Sequence, residues 1–108
     1  MTWKVSYTEG AELDLHDIYD YLSDVLLEPI TAEKQTNRIM DVVDMLDHMP
    51  KRFRLYEKEP WHSRGLREMP VDNYIVLYLP VDDKKIVDII RIMYSSRDID
   101  KQLNLNEL

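Results

Sequence analysis

The stretch LREMPVDNYIVLYL, residues 66–79, decides the fold of this chain. It contains two runs rich in Val, Ile, Leu and Tyr, and the pair Asp72-Asn73 separates them. Side chains of the first kind favour strands, and Asp and Asn favour tight turns. The stretch therefore predicts an antiparallel hairpin of two strands, Leu66–Val71 and Tyr74–Leu79.

A third strand follows this hairpin. The segment from Pro80 to Lys84 is polar and predicts a turn, and the segment from Lys85 to Tyr94 is rich in Ile and Val at odd and even positions alike. A strand that is apolar on both faces is typical of the centre of a sheet. We expect the meander of three strands, Leu66 to Tyr94, to be the working surface of the protein.

Toward the N-terminus, the pattern predicts one strand and two helices. Trp3–Tyr7 alternates between apolar and polar residues, as a strand does. Two segments with apolar residues at helical spacing follow, one behind the N-cap candidate Thr8 and one behind the N-cap candidate Thr31, which ends at Pro50. The two apolar stripes are Ala11, Leu15, Ile18, Leu22 and Val25, and then Ile39, Val42, Val43, Leu46 and Met49.

The remaining segments complete an α+β fold in the order β-α-α-β-β-β-α. Residues 51–65 have no clear period and predict a loop with a short strand at Phe53–Tyr56, and Asp98 can cap a short final helix. A helical hairpin packed on one face of a mostly antiparallel sheet buries both apolar patterns. We expect the other face to be open for function, and the whole chain, 1–108, to be one domain with a tail at 104–108.

Composition and charge exclude several classes of function. The chain has no cysteine, which excludes a disulfide framework, and its apolar runs and N-terminus predict neither a membrane span nor a signal peptide, so we expect a cytoplasmic protein. Residues 1–50 hold 3 basic and 11 acidic side chains, giving −8, and residues 51–108 hold 11 and 10, giving +1. Only the segment Lys51–Pro70, with six basic and three acidic residues, could contact a polyanion.

Side chains around the meander suit RNA cleavage without a metal. Arginines would stabilise the charge that grows on the phosphorane, a proton donor would protonate the leaving oxygen, and a carboxylate would accept the 2′-hydroxyl proton. The candidates are the cations Arg67, Arg91 and Arg97, the proton donors Tyr94 and His62, and the proton acceptors Glu57 and Glu59.

These residues also have purely structural interpretations. Arg91 and Arg97 could instead pair with Asp88, Asp98 or Asp100, which would leave no active site. Carboxylates recur every three or four residues on both predicted helices, but they lie opposite the apolar stripes, which favours solvated faces over a metal site. No metal and no cofactor are predicted.

Two segments resemble the RelE/ParE toxins. GLREMPVDNYIVLY, residues 65–78, is similar to their "LREL-x-V-x-NY-x-x-LY" stretch, and IRIMYSSRD, residues 90–98, is similar to their terminal "R-x-x-H/Y-x-x-RD" segment. The resemblance implies the toxin half of a type II toxin–antitoxin pair, which is silenced by a tightly bound antitoxin. RelE-like members cut mRNA in the ribosome without a metal, whereas ParE-like members inhibit DNA gyrase.

Carried over residue by residue, the nuclease pattern is incomplete. RelE-like nucleases commonly have an arginine directly after the meander tyrosine, where this chain has Ile75. They commonly have a lysine on the preceding strand, where this chain has Leu66 and Glu68. Arg97 matches a functional arginine of the nucleases, and Tyr94 fills a position that is often His in ParE-like members.

The resemblance therefore predicts a ParE-like toxin that binds a protein target, with DNA gyrase as the leading candidate. The first alternative is a RelE-like, ribosome-dependent mRNA endoribonuclease that uses Arg67, Arg91, Tyr94 and Arg97. The second is a non-toxic remnant that only binds an antitoxin. The predicted partner in each case is a cognate antitoxin protein, with which the chain can form a hetero-oligomer, and no membrane is involved.

Overall fold

The computed structural model describes residues 2–103, which form four strands and three α-helices. The strands are β1 (Lys4–Tyr7), β2 (Arg67–Val71), β3 (Tyr74–Val81) and β4 (Ile86–Tyr94), and the helices are α1 (Glu9–Asp20), α2 (Pro29–Asp44) and α3 (Ile99–Gln102). The sheet order is β1-β4-β3-β2, with β1 parallel to β4 and the other pairs antiparallel. The predicted fold class and element order are confirmed, and the predicted tail, 104–108, lies outside the described residues.

Thr8 fixes the start of α1 and ties the helix to β4. Its side-chain oxygen accepts a hydrogen bond from the backbone N–H of Ala11 at 3.2 Å, so the predicted N-cap is confirmed. The same hydroxyl lies 2.9 Å from the carbonyl oxygens of both Ile89 and Ile90. The helix continues as a π-helical turn, Tyr21–Val25, which leads to the tip of the hairpin.

The second helix begins earlier than predicted. It starts at Pro29, and Glu28 occupies the N-cap position without a side-chain hydrogen bond. Thr31, the expected N-cap, lies inside the first turn. Proline favours this early position because its missing N–H would have no partner in the first turn of a helix.

The helical hairpin covers one face of the sheet. The core on this face includes Ala11, Ile39, Val43 and Leu46 from the hairpin and Val76, Tyr78, Ile89 and Ile92 from the sheet. Two members of the predicted stripes are exposed instead. Val25 lies in the π-helical turn at the tip, and Met49 follows the helical segment with a left-handed φ of 47°.

The opposite face of the sheet is covered as well, so the expectation that it stands open is wrong. Tyr56 and Trp61, from the segment without a clear period, are buried there, as is Leu103 after α3. Their partners in the sheet region are Leu66, Leu77, Ile90 and Met93. Because the two central strands are apolar on both faces, leaving one face in water would be unfavourable.

The extent of two predicted strands differs from the structure by more than one residue. Pro80 lies inside β3, which runs two residues past its predicted end. β2 pairs with β3 only as far as Tyr78, so beyond this residue β3 has a neighbour on one side only, where a proline is tolerated. The predicted strand at Phe53–Tyr56 is reduced to a single bridge between Leu55 and Arg67.

A β-bulge in β4 changes which side chains share a face. Leu77 and Tyr78 are adjacent in β3, but their partners in β4 are Arg91 and Ile89, so Ile90 is an extra residue. An extra residue shifts the alternation of side chains by one position for the rest of the strand. The end of β4 therefore presents its side chains to the faces opposite to those that simple alternation predicts.

Candidate functional site

A cavity of about 380 Å³ opens beside the segment 54–58, next to β2, β3 and the turn after β4. We call it the charged pocket because charged side chains make up most of its lining. It is lined by Arg54, Lys58 and Arg97, by Glu57, Glu68, Asp98 and Asp100, and by Tyr56, Ile75, Ser95 and Ile99. Carboxylates thus outnumber cations, although this pocket draws on the only basic segment of the sequence.

Most of the charge in this pocket is compensated within it. Arg54 contacts Glu68 at 2.5 Å, Lys58 contacts Asp100 at 2.5 Å, and Tyr56 donates its hydroxyl to Asp100. The hydrogen bonds from Lys58 and Tyr56 hold the pKa of Asp100 below its ordinary value. Burial, followed by the bond to Asp100, raises the pKa of Tyr56. At neutral pH Asp100 is an anion and Tyr56 a neutral phenol, and both are already engaged.

Arg97 is the cation of the charged pocket that has no such partner. Within residues 2–103 its guanidinium makes neither an ion pair nor a side-chain hydrogen bond. Its backbone N–H donates to the carbonyl of Tyr94 at 3.0 Å in the turn after β4. The alternative that Arg97 pairs with Asp98 or Asp100 is not seen in this part of the chain, where Asp98 contacts Lys101 at 4.0 Å.

Arg91 lies beside α1. Its Nε and Nη2 donate to the carboxylate of Asp14 at 2.7 and 2.9 Å, and Asp14 also accepts the backbone N–H of Ile92 at 2.8 Å. The two side chains are only 17% and 13% exposed. Its Nη1 donates to the carbonyl of Gln102 at the end of α3. The alternative of an ion pair with Asp88 is wrong, because α1 follows β1 along the edge of β4 and brings Asp14 within reach.

Arg67 performs a structural task on the helix-covered face. It alternates in β2 with residues that face the other way, and it shares its face with Met69 and Val71, which belong to the helix-side core. Its Nη1 donates to the carbonyls of Lys51 and Phe53 at 3.1 and 2.7 Å. The guanidinium thus fastens the segment that follows the hairpin to the edge of the sheet.

Tyr94 also lies on the helix-covered face. It stands directly opposite Tyr74, and their rings meet edge to face with centroids 5.6 Å apart. The pKa of Tyr74 is raised mainly by burial and further by its neighbours Tyr94 and Tyr21. Tyr94 therefore pairs with Tyr74, and its ring is on the other side of the sheet from the charged pocket.

The remaining candidate proton donors and acceptors, His62, Glu57 and Glu59, lie in the loop of residues 51–65. His62 has its Nδ1 2.8 Å from the carbonyl oxygen of Tyr56. Glu59 accepts hydrogen bonds from the hydroxyl and the backbone N–H of Ser63, and these bonds lower its pKa. Glu57 lies in the charged pocket, 3.6 Å from Arg54. These contacts stabilise the loop in its covering position.

The structure thus disperses the predicted catalytic set. Arg97 and Glu57 line the charged pocket, Arg91 lies beside α1, Arg67 and Tyr94 lie on the helix-covered face, and His62 and Glu59 lie in the loop. Five residues of the charged pocket were not predicted as site residues: Arg54, Tyr56, Lys58, Glu68 and Asp100. The signal that could have found them was the basic segment Lys51–Pro70, which contains four of the five.

The described part of the chain offers no metal site. Among residues 2–103, no group of three or more His, Asp or Glu residues is arranged to hold a metal ion. The same residues include no helix that is both long and apolar enough to cross a membrane.

A helical hairpin packed on a four-stranded sheet is also the fold of solved toxins of the RelE and ParE types. Residues 5–99 match the family described as the ParE toxin of the type II toxin–antitoxin system, parDE. This match spans most of the chain, which therefore belongs to the ParE toxin family and is the toxin of a toxin–antitoxin system.

Solved structures share this fold. The chromosomal ParDE toxin–antitoxin system from P. aeruginosa matches with 24% identity and a TM-score of 0.71, over 86% of this chain and 96% of that one. A mutant of E. coli toxin RelE in the free state matches with 11% identity and a TM-score of 0.69, over 100% and 99%. The RelBE2 toxin–antitoxin complex from Mycobacterium tuberculosis matches with 18% identity and a TM-score of 0.64, over 90% and 95%. No curated protein matches the chain in sequence.

Proposed function

We propose that this toxin inhibits growth by binding a protein target, DNA gyrase, and not by cleaving RNA. The observation that carries the proposal is the compensation of charge in the charged pocket. Its four carboxylates outnumber its three cations, and Glu68 and Asp100 already hold Arg54 and Lys58. An RNA phosphate that entered would have to compete with these carboxylates for the cations.

Cleavage of RNA needs several cations around one phosphate. Loss of a single positioned donor typically costs about 10²–10³ in rate, with an oxyanion-hole donor as the nearest guide. Arg67 and Arg91 are held elsewhere by backbone carbonyls and by Asp14, and Tyr94 packs against Tyr74 on the other face. Of the predicted catalytic cations, Arg97 alone would have to stabilise the charge on the phosphorane, a task that a nuclease divides among several residues.

The choice of gyrase follows from the family. The chain matches the ParE toxin family over residues 5–99. The resemblance to RelE/ParE toxins lacks the nuclease arginine at Ile75, which favours the ParE-like branch, whose members inhibit gyrase. The acidic surface of the first half of the chain, with 11 acidic and 3 basic residues in 1–50, suits a basic surface on a protein far better than it suits nucleic acid.

A supercoiling assay with purified gyrase tests the target. We expect supercoiling to fall as the purified toxin is added. We expect Arg97→Ala to inhibit as well as the wild type, because Arg97 lies in the charged pocket, which takes no part in the proposed binding. Supercoiling that is unchanged at a molar excess of toxin would reject gyrase as the target.

One observation favours a RelE-like ribonuclease as the second candidate. Arg97 lies in the charged pocket beside Ser95 without a partner in residues 2–103, and it matches a functional arginine of the nucleases in the resemblance. Primer extension on a translated mRNA after induction of the toxin distinguishes the two. New cleavage ends that disappear in Arg97→Ala would establish the ribonuclease, whereas their absence supports the binding toxin.

We also propose that a cognate antitoxin neutralises the chain by forming a hetero-oligomer with it in the cytoplasm. The similar ParDE and RelBE2 structures are toxin–antitoxin systems. Induction of the chain alone should stop growth, and co-expression of a cognate antitoxin should restore it. Growth that continues when the chain is induced alone would identify the third candidate, a non-toxic remnant.

A further inference from the structure

The tip of the helical hairpin carries a run of exposed apolar side chains. Residues 24–31 are exposed without interruption, and four of them are aliphatic: Val25, Leu26, Leu27 and Ile30. Leu27 is 78% exposed, Ile30 71% and Val25 64%. We call these four residues the apolar knob. An uninterrupted run of exposed residues at a chain reversal is a projection, not a groove.

The backbone conformation of Leu27 indicates that this leucine does not contribute to folding stability. Its φ is 57°, in the left-handed region that glycine and asparagine tolerate and leucine does not favour. Its side chain gains nothing from burial, because most of it faces solvent. Glycine would suit the turn better, so the leucine side chain serves something other than the stability of the turn.

Carboxylates surround the apolar knob. Residues 5–33 contain eight Asp and Glu residues and no Lys or Arg. Asp20, Asp24 and Glu28, all exposed, lie in or next to the tip. A second copy of the chain would bring the same carboxylates against these, and juxtaposed like charges disfavour association. The complementary surface is therefore apolar at its centre and basic at its rim.

Shape and composition favour a folded partner over a peptide. Peptide segments lie in grooves or along sheet edges, whereas a projecting aliphatic cluster needs a preformed pocket to bury it. Tyr21, in the π-helical turn, and Tyr94 are exposed, and the ring of Tyr94 meets that of Tyr74 edge to face. Tyrosine is enriched among the residues that dominate binding energy at interfaces.

We propose that the apolar knob is the part of the toxin that inserts into an apolar pocket with a basic rim on its folded protein target. The inference rests on the proposed function, a toxin that acts by binding a protein. Leu27 and Ile30 fill the pocket, and Asp24 and Glu28 meet Lys or Arg side chains at its rim. The surrounding carboxylates also speed encounter with a basic surface.

The double variant Leu27→Gly/Ile30→Ser tests the apolar part. Glycine relieves the left-handed strain at residue 27, so the midpoint of thermal unfolding should stay the same or rise, and a loss of function cannot be ascribed to unfolding. We expect growth to resume when this variant is induced. With gyrase as the probe, the concentration that halves supercoiling should rise about tenfold or more, as for the loss of an interface hot spot.

A second variant tests the charge, and a third serves as a control. Asp24→Lys/Glu28→Lys should weaken growth inhibition about fivefold or more, because it places cations against the basic rim. Leu13→Ser/Met45→Ser removes two apolar side chains that are also more than half exposed, 55% and 59%, and that lie away from the tip. This control should inhibit growth as the wild type does.

Three results would overturn the inference while the toxin itself remains active. In the first, Leu27→Gly/Ile30→Ser stops growth as strongly as the wild type. In the second, it stops growth but is no longer neutralised by the antitoxin that neutralises the wild type, so the knob binds the antitoxin. In the third, it converts a dimer of the chain to a monomer, so the occupant is a second copy. A wild-type chain that never inhibits growth would instead reject the proposed function.

Discussion

The charged pocket and the apolar knob differ in how many of their side chains already have interaction partners within the chain. In the pocket, Arg54 and Lys58 already have carboxylate partners, and a ligand would have to displace them. On the knob, Leu27 and Ile30 are mostly in solvent, and any complementary cover gains free energy in proportion to the apolar area it buries. The charged pocket therefore has more charged side chains than the apolar knob, but most of them are already paired within the chain and are less available to a partner.

The largest expected effect is the difference in unfolding free energy between truncating a buried apolar side chain and truncating an exposed one. Trp61 is buried over the sheet and Ile30 is exposed on the knob. We expect Trp61→Ala to lower the free energy of unfolding by about 3–5 kcal/mol and Ile30→Ala to change it by less than about 0.5 kcal/mol. Urea denaturation measures both, and equal losses would contradict the contrast.

The next effect concerns the ion pair that joins α1 to β4. Asp14 on α1 contacts Arg91, which also reaches the end of α3 beside the pocket. Asp14→Ala should cost about 2–3 kcal/mol, somewhat less than the removal of one partner from a fully buried pair, because a largely buried guanidinium loses its carboxylate. The matched control is Asp17→Ala, on an exposed position of the same helix, which should cost less than about 0.5 kcal/mol. Similar denaturation midpoints for the two variants would contradict this account.

A smaller effect should appear inside the charged pocket. Asp100→Asn removes the ion pair with Lys58 but keeps an acceptor for Tyr56. With screening by solvent, the loss should be below about 1 kcal/mol. The folded-state pKa of Asp100 lies below its unfolded value, so its stabilisation is present above about pH 4 and is lost as the pH falls through the folded pKa. The difference between wild type and variant should therefore shrink in acid. A difference that grows below pH 4 would contradict it.

Much of the fold was predictable because periodicity is local. The apolar stripes predicted both helices, the Thr8 cap predicted the start of α1, and Asp72-Asn73 predicted the turn between β2 and β3. The apolar character of β4 on both faces predicted its central place in the sheet. Thr31 was a wrong N-cap because Pro29 begins the helix earlier.

The arrangement of the candidate site was not predictable by the same reasoning. The cover on the second face comes from Tyr56 and Trp61, two side chains in a segment without a period. The bulge at Ile90 shifts the alternation of β4 and puts Tyr94 on the face opposite the pocket of Arg97. A bulge and a cover of this kind depend on contacts between distant residues, so no local pattern predicts them.

Growth after induction in a bacterial host tests the central claim most directly, with Arg97→Ala and Leu27→Gly/Ile30→Ser compared against the wild type. If the toxin acts through the apolar knob, Arg97→Ala stops growth as the wild type does, and the knob variant grows. If instead Arg97→Ala grows and the knob variant stops growth, the charged pocket is the active site and the account is wrong.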